Sequence, residues 1–401
     1  MAGIYIHIPF CRHKCSYCDF VSFPDKIDYA EAYMACLYKE LKMRGKELQD
    51  YTFDTVYFGG GTPSYIPPKL ILGAMNQIRK CFTLSKDAEV TLELNPGTIG
   101  ESKVKIYKEA GINRYSIGLQ TAIDEQLADI GRIHNVRDYV YATKLLKGEN
   151  FSTDVMLGLK NQSKEDIGKT IELAAACGSK HISMYALTVE DGTPIYTDYL
   201  NGELPDSDEV ADMYDFGRAL LKKFGFERYE ISNFAKPGYE CRHNIGYWKR
   251  VDYLGVGLGA SSLIDNVRYS NTRDLYTYLS ECENIHDCYM QYPLTEGVTG
   301  SAVYSADGTH ILVPAVNLHA AAEQTTRNEQ MEEFMFLGLR MRDGFYREEF
   351  TQAFGIPIEA VYGDALNHLQ QEELLLKREG RIYLTDKGMD LNNYVVAQFM
   401  L

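Results

Sequence analysis

The sequence lacks the features that mark several classes of protein. It has no uninterrupted run of about 18 apolar residues, so no segment predicts a transmembrane helix. Residues 1–9 lack the basic stretch and the long apolar core of a secretory signal. No internal repeat or low-complexity segment stands out. We therefore expect a globular protein of the cytoplasm.

Basic residues are fewer than acidic residues in the sequence. Lys and Arg number 41 against 56 Asp and Glu, which gives a formal net charge of −15. A surface this acidic repels phosphate backbones, so we expect no nucleic-acid partner and a substrate recognised in a local pocket. At roughly 150 residues per domain, the 401 residues allow two or three domains, or one barrel with an appendage.

The chain has nine cysteines, and three of them, Cys11, Cys15 and Cys18, fall within eight residues. In a reducing compartment, clustered thiols indicate a metal site or a catalyst. Three thiolates spaced C-x3-C-x2-C on one loop can bind three irons of a cubane 4Fe-4S cluster and leave the fourth iron open. The alternative is a zinc site that takes His7 or His13 as its fourth ligand.

The first half of the chain alternates short β-rich runs with longer amphipathic stretches. Such alternation requires parallel strands joined by helical crossovers. Six units are too few to close an eightfold barrel, so we expect an α/β fold with a partial (β/α)6 barrel and its site at the strand C-terminal ends. A doubly wound open sheet is the alternative. The predicted strands are 3–8, 54–58, 89–94, 114–117, 152–157 and 181–186, and the predicted helices are 29–44, 69–81, 101–110, 136–146, 163–176 and 206–224.

A glycine run follows the second predicted strand, in the sequence Phe58-Gly-Gly-Gly-Thr-Pro63. Consecutive glycines permit positive φ and let the backbone approach a ligand closely, although a tight turn or a phosphate nest would use them too. After a C-x3-C-x2-C loop, this run resembles the radical S-adenosylmethionine (SAM) superfamily. The resemblance implies a 4Fe-4S cluster whose open iron takes the amino and carboxylate groups of SAM, and cleavage of SAM to a 5′-deoxyadenosyl radical.

Further stretches narrow the resemblance to oxygen-independent coproporphyrinogen III oxidases and their haem-chaperone relatives. They are YIHIPFC from Tyr5, ELNPG from Glu93, RYSIGLQ from Arg114, GRIH from Gly131 and YEISNF from Tyr229. The resemblance covers nearly the whole chain. By position, it places SAM-contacting residues at Tyr5, Tyr17, Gly60, Gly61, Thr62, Glu93, Gln120, Arg132, Asp154 and Ala186.

Two features favour the chaperone branch. The oxidases extend the cysteine motif to C-x3-C-x2-C-x-C, whereas this chain has Phe20 at the last position. It also carries an H-N-x-x-Y-W motif from His243, with Tyr247 and Trp248, which resembles the haem-binding signature of the chaperones. Imidazole is a common axial haem ligand and aromatic rings can cover a porphyrin face. Cys241 is a competing ligand.

The C-terminal part contains helical patterns at 328–342, 348–354 and 358–371 and a β-ribbon at 374–384, which together are typical of a winged-helix-like module. Residues 345–401 carry more acidic than basic side chains, so DNA binding is not expected of it. Residues 297–327 depart from the family, and a hairpin signal at Asp307-Gly308 predicts a surface insertion. We therefore divide the chain into the barrel (1–235), a haem-motif region and barrel extension (236–296), the insertion (297–327) and the C-terminal module (328–401).

The resemblance implies a haem chaperone that uses a SAM-liganded 4Fe-4S cluster and delivers haem to an acceptor protein. The alternative is the oxidase, which decarboxylates coproporphyrinogen III to protoporphyrinogen IX with a SAM-derived radical. Cofactors on the first hypothesis are the cluster, SAM and haem, without coproporphyrinogen oxidase activity and without an assigned catalytic residue. A homodimer and a peripheral membrane contact remain open.

Overall fold

The computed structural model describes residues 2–283, 289–293, 303–304, 310–314 and 318–401. Its centre is a large, mostly parallel sheet in which six strands follow one another in chain order, as the alternating sequence predicts. Neighbouring strands of this set all pair in parallel. They are β1 (Gly3–Ile8), β2 (Thr52–Gly60), β3 (Thr83–Leu94), β4 (Arg114–Gln120), β5 (Asn150–Leu157) and β6 (His181–Ala186).

Helices connect these strands and cover the outer face of the sheet. Three of them begin with a capping box, in which the N-cap side chain and the third helical residue exchange hydrogen bonds; the N-caps are Asn135, Ser163 and Asp206. The helices are α1 (Ala30–Glu47), α2 (Pro68–Cys81), α3 (Glu101–Glu109), α4 (Asp124–Asp129), α5 (Val136–Leu145), α6 (Lys164–Ala176), α7 (Tyr196–Leu200) and α8 (Ser207–Lys223).

The sheet continues beyond the six predicted strands on both sides. After β6 come β8 (Asn233–Ala235) and β7 (Glu227–Arg228), both antiparallel. On the other side, β9 (Tyr253–Val256) pairs in parallel with β1 and is followed by β10 (Ser261–Ile264) and β11 (Val267–Asn271). No strand was predicted from the sequence at β9, where glycines are frequent over residues 255–259. Gly255 is required there, because a Cβ would lie 2.1 Å from the Ser261 carbonyl oxygen.

Successive side chains of each strand face opposite sides of the sheet, so one side forms the hydrophobic core and the other lines the site. On β1, Ile4, Ile6 and Ile8 are fully buried and belong to the main hydrophobic cluster beneath α1 and α2, together with side chains such as Val56 and Phe58 of β2. The residues between them point to the opposite face, where polar groups line the interior of the partial barrel. The fold therefore places its polar residues on one concave surface.

Residues 242–283 add α9 (Arg242–Trp248), which carries the H-N-x-x-Y-W motif, and α10 (Leu275–Glu283), which packs on α1. A three-stranded antiparallel sheet follows, built from β12 (Tyr289–Pro293), β13 (Val303–Tyr304) and β14 (His310–Pro314). Pairing of β13 with β14 agrees with the predicted hairpin, whereas the turn at 307–308 lies outside the described residues. This small sheet begins before residue 297, and β15 (His319–Gln324) joins the main sheet beside β11, so the expected insertion does not coincide with one structural unit.

The C-terminal module has its own hydrophobic core and combines five helices with a three-stranded sheet among the described residues. Its elements are α11 (Arg327–Gly338), β16 (Phe345–Tyr346), α12 (Arg347–Phe354), α13 (Glu359–Gln371), β17 (Leu375–Arg378), β18 (Arg381–Leu384), α14 (Asp386–Asp390) and α15 (Asn392–Ala397). The predicted helices and ribbon are present, and β16 is the strand that the sequence analysis missed. In the described part of the chain, no helix combines the length and apolar character needed to cross a membrane.

Candidate functional site

A cavity of about 340 Å³ opens at the carboxyl ends of the parallel strands and extends into the barrel interior. This is the end at which α/β barrels bind their ligands. Most of the residues predicted from sequence line it: Cys11, Cys15, Cys18, Tyr17, Gly60, Gly61, Thr62, Glu93, Gln120, Arg132 and Asp154. The fold therefore brings together residues that are separated by up to 143 positions in the chain.

The three clustered cysteines lie on the loop after β1, and all three are free thiols at the cavity mouth. Cys11 Sγ lies 3.4 Å from Thr62 Oγ1, which ties the cysteine loop to the glycine run. Burial raises the pKa of the Cys11 and Cys18 thiols, so a bound metal centre would have to displace their protons. Phe20, which stands at the position of the oxidases' fourth cysteine, lines the same mouth and is 67% exposed.

Of the two histidines proposed as a fourth zinc ligand, His7 is already engaged within the protein. His7 is buried, and its ring nitrogens lie 3.1 Å from Tyr5 Oη and 2.8 Å from the Val21 carbonyl oxygen. Burial lowers the pKa of His7 to about 4. His13, the other candidate fourth ligand, lines the cavity together with the three cysteines. Three thiols that face a wide cavity also suit a cluster with one open iron, which is the centre that the resemblance implies.

The glycine run is shaped by protein contacts as well as by its place at the cavity. Gly60 has φ of +108°, and a Cβ there would lie 2.4 Å from His7 Cε1. A Cβ on Gly61 would lie 2.8 Å from the Ile8 carbonyl oxygen, to which the Gly61 N–H donates at 2.9 Å. Glycine is therefore required at both positions for β2 to pack against the start of the cysteine loop.

Two carboxyl groups face the middle of the cavity. Glu93 accepts hydrogen bonds from Tyr57 Oη at 2.8 Å and from the Gly60 N–H at 3.2 Å, and burial raises its pKa to about 7. Asp154 accepts from Ser116 Oγ at 3.2 Å, and burial raises its pKa as well. Carboxylates held in this way can bind ammonium or hydroxyl groups of a ligand.

Arg132 supplies a positive charge at the mouth. Its Nη2 donates to the Gly118 carbonyl oxygen at 2.7 Å and its Nη1 to Cys15 Sγ at 3.7 Å, while its buried Nε has no partner among the described residues. Gln120, with φ of +73°, accepts from Tyr185 Oη at 3.1 Å. A guanidinium beside the thiols, carboxylates opposite it and an unmatched donor fit a 4Fe-4S cluster with SAM, whose methionyl end carries both charges.

Three residues predicted from the family lie outside the cavity lining. Tyr5 stacks on Tyr57, with ring centroids 6.2 Å apart, and Ala186 lies at the exposed end of β6. His243 lies at the opposite end of the barrel, on α9, where it is 4% exposed. The fold therefore does not bring these three side chains into the cavity wall.

Both ring nitrogens of His243 have hydrogen-bonding partners within the protein. Its Nδ1 lies 2.7 Å from Thr55 Oγ1 and its Nε2 lies 3.0 Å from Tyr247 Oη, and the ring stacks on Tyr57 at 5.0 Å. Burial, with a contribution from the Arg114 charge, lowers the pKa of His243 to about 3, so the imidazole is neutral. A ring nitrogen of His243 can bind haem iron only after it is released from its hydrogen-bonding partner.

Tyr247 contacts the His243 ring, whereas Trp248 and the competing ligand Cys241 have other neighbours. The Arg340 guanidinium lies 4.3 Å from the Trp248 ring centroid, so Trp248 contacts the C-terminal module. Cys241, the competing ligand, lines the inner end of the cavity, with its Sγ 3.6 Å from a Glu89 carboxylate oxygen. Burial raises the pKa of Cys241 to about 12, so it is a protonated thiol.

Much of the cavity wall was not predicted from the sequence. The signal was available, because residues two apart on one strand share a face: Ser116 and Gly118 precede Gln120 at this spacing on β4. The polar alternation of β4, β5 and β6 therefore predicts a polar interior. The missed lining residues include Tyr57, Asn95, Arg114, Ser116, Ser152, His181, Ser183, Tyr185, Asn233 and Asn244.

Comparison with known proteins gives a consistent result. Residues 5–174 match the radical SAM superfamily and residues 325–391 match the HemN C-terminal domain. The chain is 32% identical to the heme chaperone HemW of Lactococcus lactis, over 99% of this chain and 97% of the relative. It is 31% identical to the heme chaperone HemW of Bacillus subtilis, over 100% and 99% respectively.

Among solved structures, the coproporphyrinogen III oxidase HemN of Escherichia coli, a radical SAM enzyme, superposes with a TM-score of 0.81. The match covers 100% of this chain and 90% of HemN, at 19% sequence identity. At this identity the likeness concerns the fold, and it extends over both the barrel and the C-terminal module.

Proposed function

Because the chain belongs to the radical SAM superfamily and, within it, to the family of the heme chaperone HemW, we propose that it binds haem and delivers it to an acceptor protein. The observation that carries the proposal is similarity to HemW over almost the entire length of both chains. The H-N-x-x-Y-W motif on α9 and Phe20 in place of a fourth cysteine support it.

On this proposal Cys11, Cys15 and Cys18 hold the cluster, and the cavity beneath them holds SAM. A reduced cluster of this type supplies an electron to bound SAM. Glu93, in its ionised form, binds the ammonium group of SAM, and Arg132 binds the carboxylate. Asp154 is placed to accept hydrogen bonds from hydroxyl groups, and Tyr57 orients Glu93 through its 2.8 Å hydrogen bond.

Haem binding through His243 requires a local rearrangement of α9. The ring nitrogen that binds iron gives up its hydrogen bond, to Thr55 or to Tyr247, at a cost of about 1 kcal/mol, while the other nitrogen can keep its partner. The position in the structure, in which both hydrogen bonds are made, is called the closed position. The imidazole is already neutral, so no proton has to be removed before Nε2 or Nδ1 binds iron. The closed and open positions of His243 thus provide a way to hold haem loosely enough for transfer.

The test is a haem titration of the wild type and of His243→Ala, followed by the Soret band. We expect the variant to lose the Soret shift and to bind more weakly. His134→Ala is the matched control, because His134 is also buried but lies outside α9 and its H-N-x-x-Y-W motif. Retained affinity and spectrum in His243→Ala would move the iron ligand elsewhere, and Cys241→Ala would then test the nearest thiol.

The same protein is then assayed for coproporphyrinogen III turnover with SAM and a reductant. We propose that it has no such activity, because Phe20 offers neither a thiol nor a ligand at the cavity mouth. Protoporphyrinogen IX formed at catalytic rates would make the oxidase the correct function. The acceptor protein, cytoplasmic location, a homodimer and peripheral membrane contact stay predictions.

A further inference from the structure

Tyr57 separates the cavity assigned to SAM from the surroundings of His243. Its side chain lines that cavity. Its ring also stacks on His243, with the ring centroids 5.0 Å apart and the ring planes at 23°. His243 lines a second cavity, of about 180 Å³, together with other residues of α9 and the start of β1. Tyr57 is therefore in contact with the iron ligand on one side and with the SAM cavity on the other.

The alternation of side chains along β2 explains this position. Thr55, Tyr57 and Gly59 are spaced two residues apart, so they share the face that points into the barrel. At one end of this row, Thr55 Oγ1 lies 2.7 Å from His243 Nδ1. At the other end, a Cβ on Gly59 would lie 3.0 Å from Tyr57 Cε1 and 3.1 Å from the Glu93 carboxyl. The row therefore runs from the haem motif to Glu93.

The hydroxyl of Tyr57 connects its ring to the SAM site. Tyr57 Oη donates a hydrogen bond to Glu93 Oε1 at 2.8 Å. On the proposed function, the ammonium group of SAM pairs with the ionised form of Glu93. A hydrogen bond to an ionised carboxylate is roughly twice as strong as one to a neutral acceptor. Bound SAM therefore holds the Tyr57 ring more firmly in the position in which it stacks on His243.

Iron on His243 requires the two rings to separate. An iron–imidazole bond lies in the plane of the imidazole and the porphyrin lies across that bond, so the macrocycle extends over both faces of the imidazole. Tyr57 covers one of these faces. Movement of His243 alone is limited, because Glu89 accepts its backbone N–H at 3.1 Å and a Cβ on Gly3 would lie 3.3 Å from its Nδ1. Tyr57 therefore has to shift toward the cavity that it lines.

We propose that Tyr57 is a positioning residue for both sites, so that SAM bound at Glu93 and haem iron bound at His243 weaken each other. This rests on the proposed haem-binding function. SAM holds the ring in the stacked position, and iron binding displaces it from that position. Because the two binding equilibria are linked, each ligand lowers the affinity for the other by the same factor. Binding of SAM then favours release of haem.

The experiment measures haem affinity from difference absorption spectra of the cluster-loaded protein, with and without saturating SAM. The cluster is kept oxidised, so SAM is not cleaved. We expect SAM to weaken haem binding about fivefold to tenfold in the wild type, which is the difference between a charged and a neutral hydrogen bond. Calorimetry should show that haem weakens SAM binding by the same factor.

Two conservative variants test the residue. Tyr57→Phe keeps the stacked ring and loses the bond to Glu93, so the effect of SAM on haem affinity should fall below about twofold. Tyr139→Phe is the matched control. Tyr139 is buried with its Oη 2.8 Å from Thr153 Oγ1, and it is not among the described residues that line the cavity, so the effect of SAM should persist.

Equal haem affinity of the wild type with and without SAM overturns the proposal, and so does tighter haem binding with SAM. Neither result depends on the folding of a variant. An undiminished effect of SAM in folded Tyr57→Phe overturns it too, as does a wild type that binds no SAM.

A wild type that binds SAM but no haem would instead contradict the haem-binding function, and NMR of the histidine rings in the haem-free protein then decides the proposal. The His243 signals, assigned by their loss in His243→Ala, should shift when SAM binds to the wild type and should not shift in Tyr57→Phe. This result would support the connection through Tyr57. Unchanged His243 signals in the wild type, or an equal shift in Tyr57→Phe, would overturn it.

Discussion

Glu93→Gln is expected to stabilise the ligand-free protein and at the same time to weaken its binding of SAM. Burial raises the pKa of Glu93 from 4.5 to about 7. A shift of this size corresponds to about 3 kcal/mol that the folded state loses when the group is ionised. The neutral amide avoids that loss, but its single acceptor oxygen serves only one of Tyr57 and Gly60, which costs about 1 kcal/mol.

The pH dependence gives the sign of the effect. Below pH 4.5 the carboxyl is protonated in both the folded and unfolded states, and ionisation does not affect stability. Between about 4.5 and 7 the unfolded state ionises first, so the wild type loses stability as the pH rises. At pH 8 the variant should therefore be more stable than the wild type by about 2 kcal/mol, and at pH 4 less stable by about 1 kcal/mol.

The assay is urea unfolding of the cluster-free protein at pH 4 and pH 8, followed by circular dichroism. Calorimetry on the cluster-loaded protein then measures SAM, whose affinity should fall roughly tenfold to a hundredfold without the carboxylate. Glu230→Gln is the matched control. Glu230 is buried with a raised pKa but lies outside the cavity, so it should not affect SAM affinity. A stability difference that is independent of pH, with unchanged SAM affinity, would refute the reasoning.

Three further predictions concern the cysteine loop, the glycine run and the haem motif. Replacing all three clustered cysteines by alanine should abolish iron and sulfide incorporation on anaerobic reconstitution. An unchanged iron and sulfide content in this variant would contradict the cluster assignment. Gly60→Val should weaken SAM binding and lower the melting temperature, because its side chain would overlap the His7 ring, and wild-type calorimetry would contradict this. Thr55→Val should raise haem affinity about fivefold by freeing His243 Nδ1, and a titration showing weaker binding would argue against the closed position.

Local sequence patterns were sufficient to predict where the barrel strands lie, but not where each strand begins and ends. The run at 89–94 was predicted as a strand, and in the structure β3 begins at Thr83. Residues 85–87 are Ser, Lys and Asp, which show no apolar alternation, but Thr83 pairs with Thr52 of β2 and extends the ladder. The glycine-rich strand β9 was missed for a related reason: it is stabilised by pairing with β1, about 250 residues earlier.

The candidate site was predictable where a motif is continuous in the chain. The cysteine spacing and the glycine run are local, so they predicted the mouth of the cavity and its cofactors. The inner end of the cavity was not predictable in this way. The environment of Arg114 depends on how Glu89, His181 and α9 pack around it, and these are distant in the sequence. Asparagine, serine and arginine on strands are common, and no spacing distinguishes those that face a cavity from those that form ordinary hydrogen bonds.

By itself, the sequence determined the alternation of strands and helices, the thiol cluster and the family, because each follows from contacts or spacings between near neighbours in the chain. Only the tertiary structure showed that His243 is held closed by Thr55, which lies 188 residues away, and that Trp248 is covered by Arg340. Hydrogen bonding and burial depend on which distant groups pack together. For that reason the sequence could identify the histidine, and only the fold could show that it must move before it binds iron.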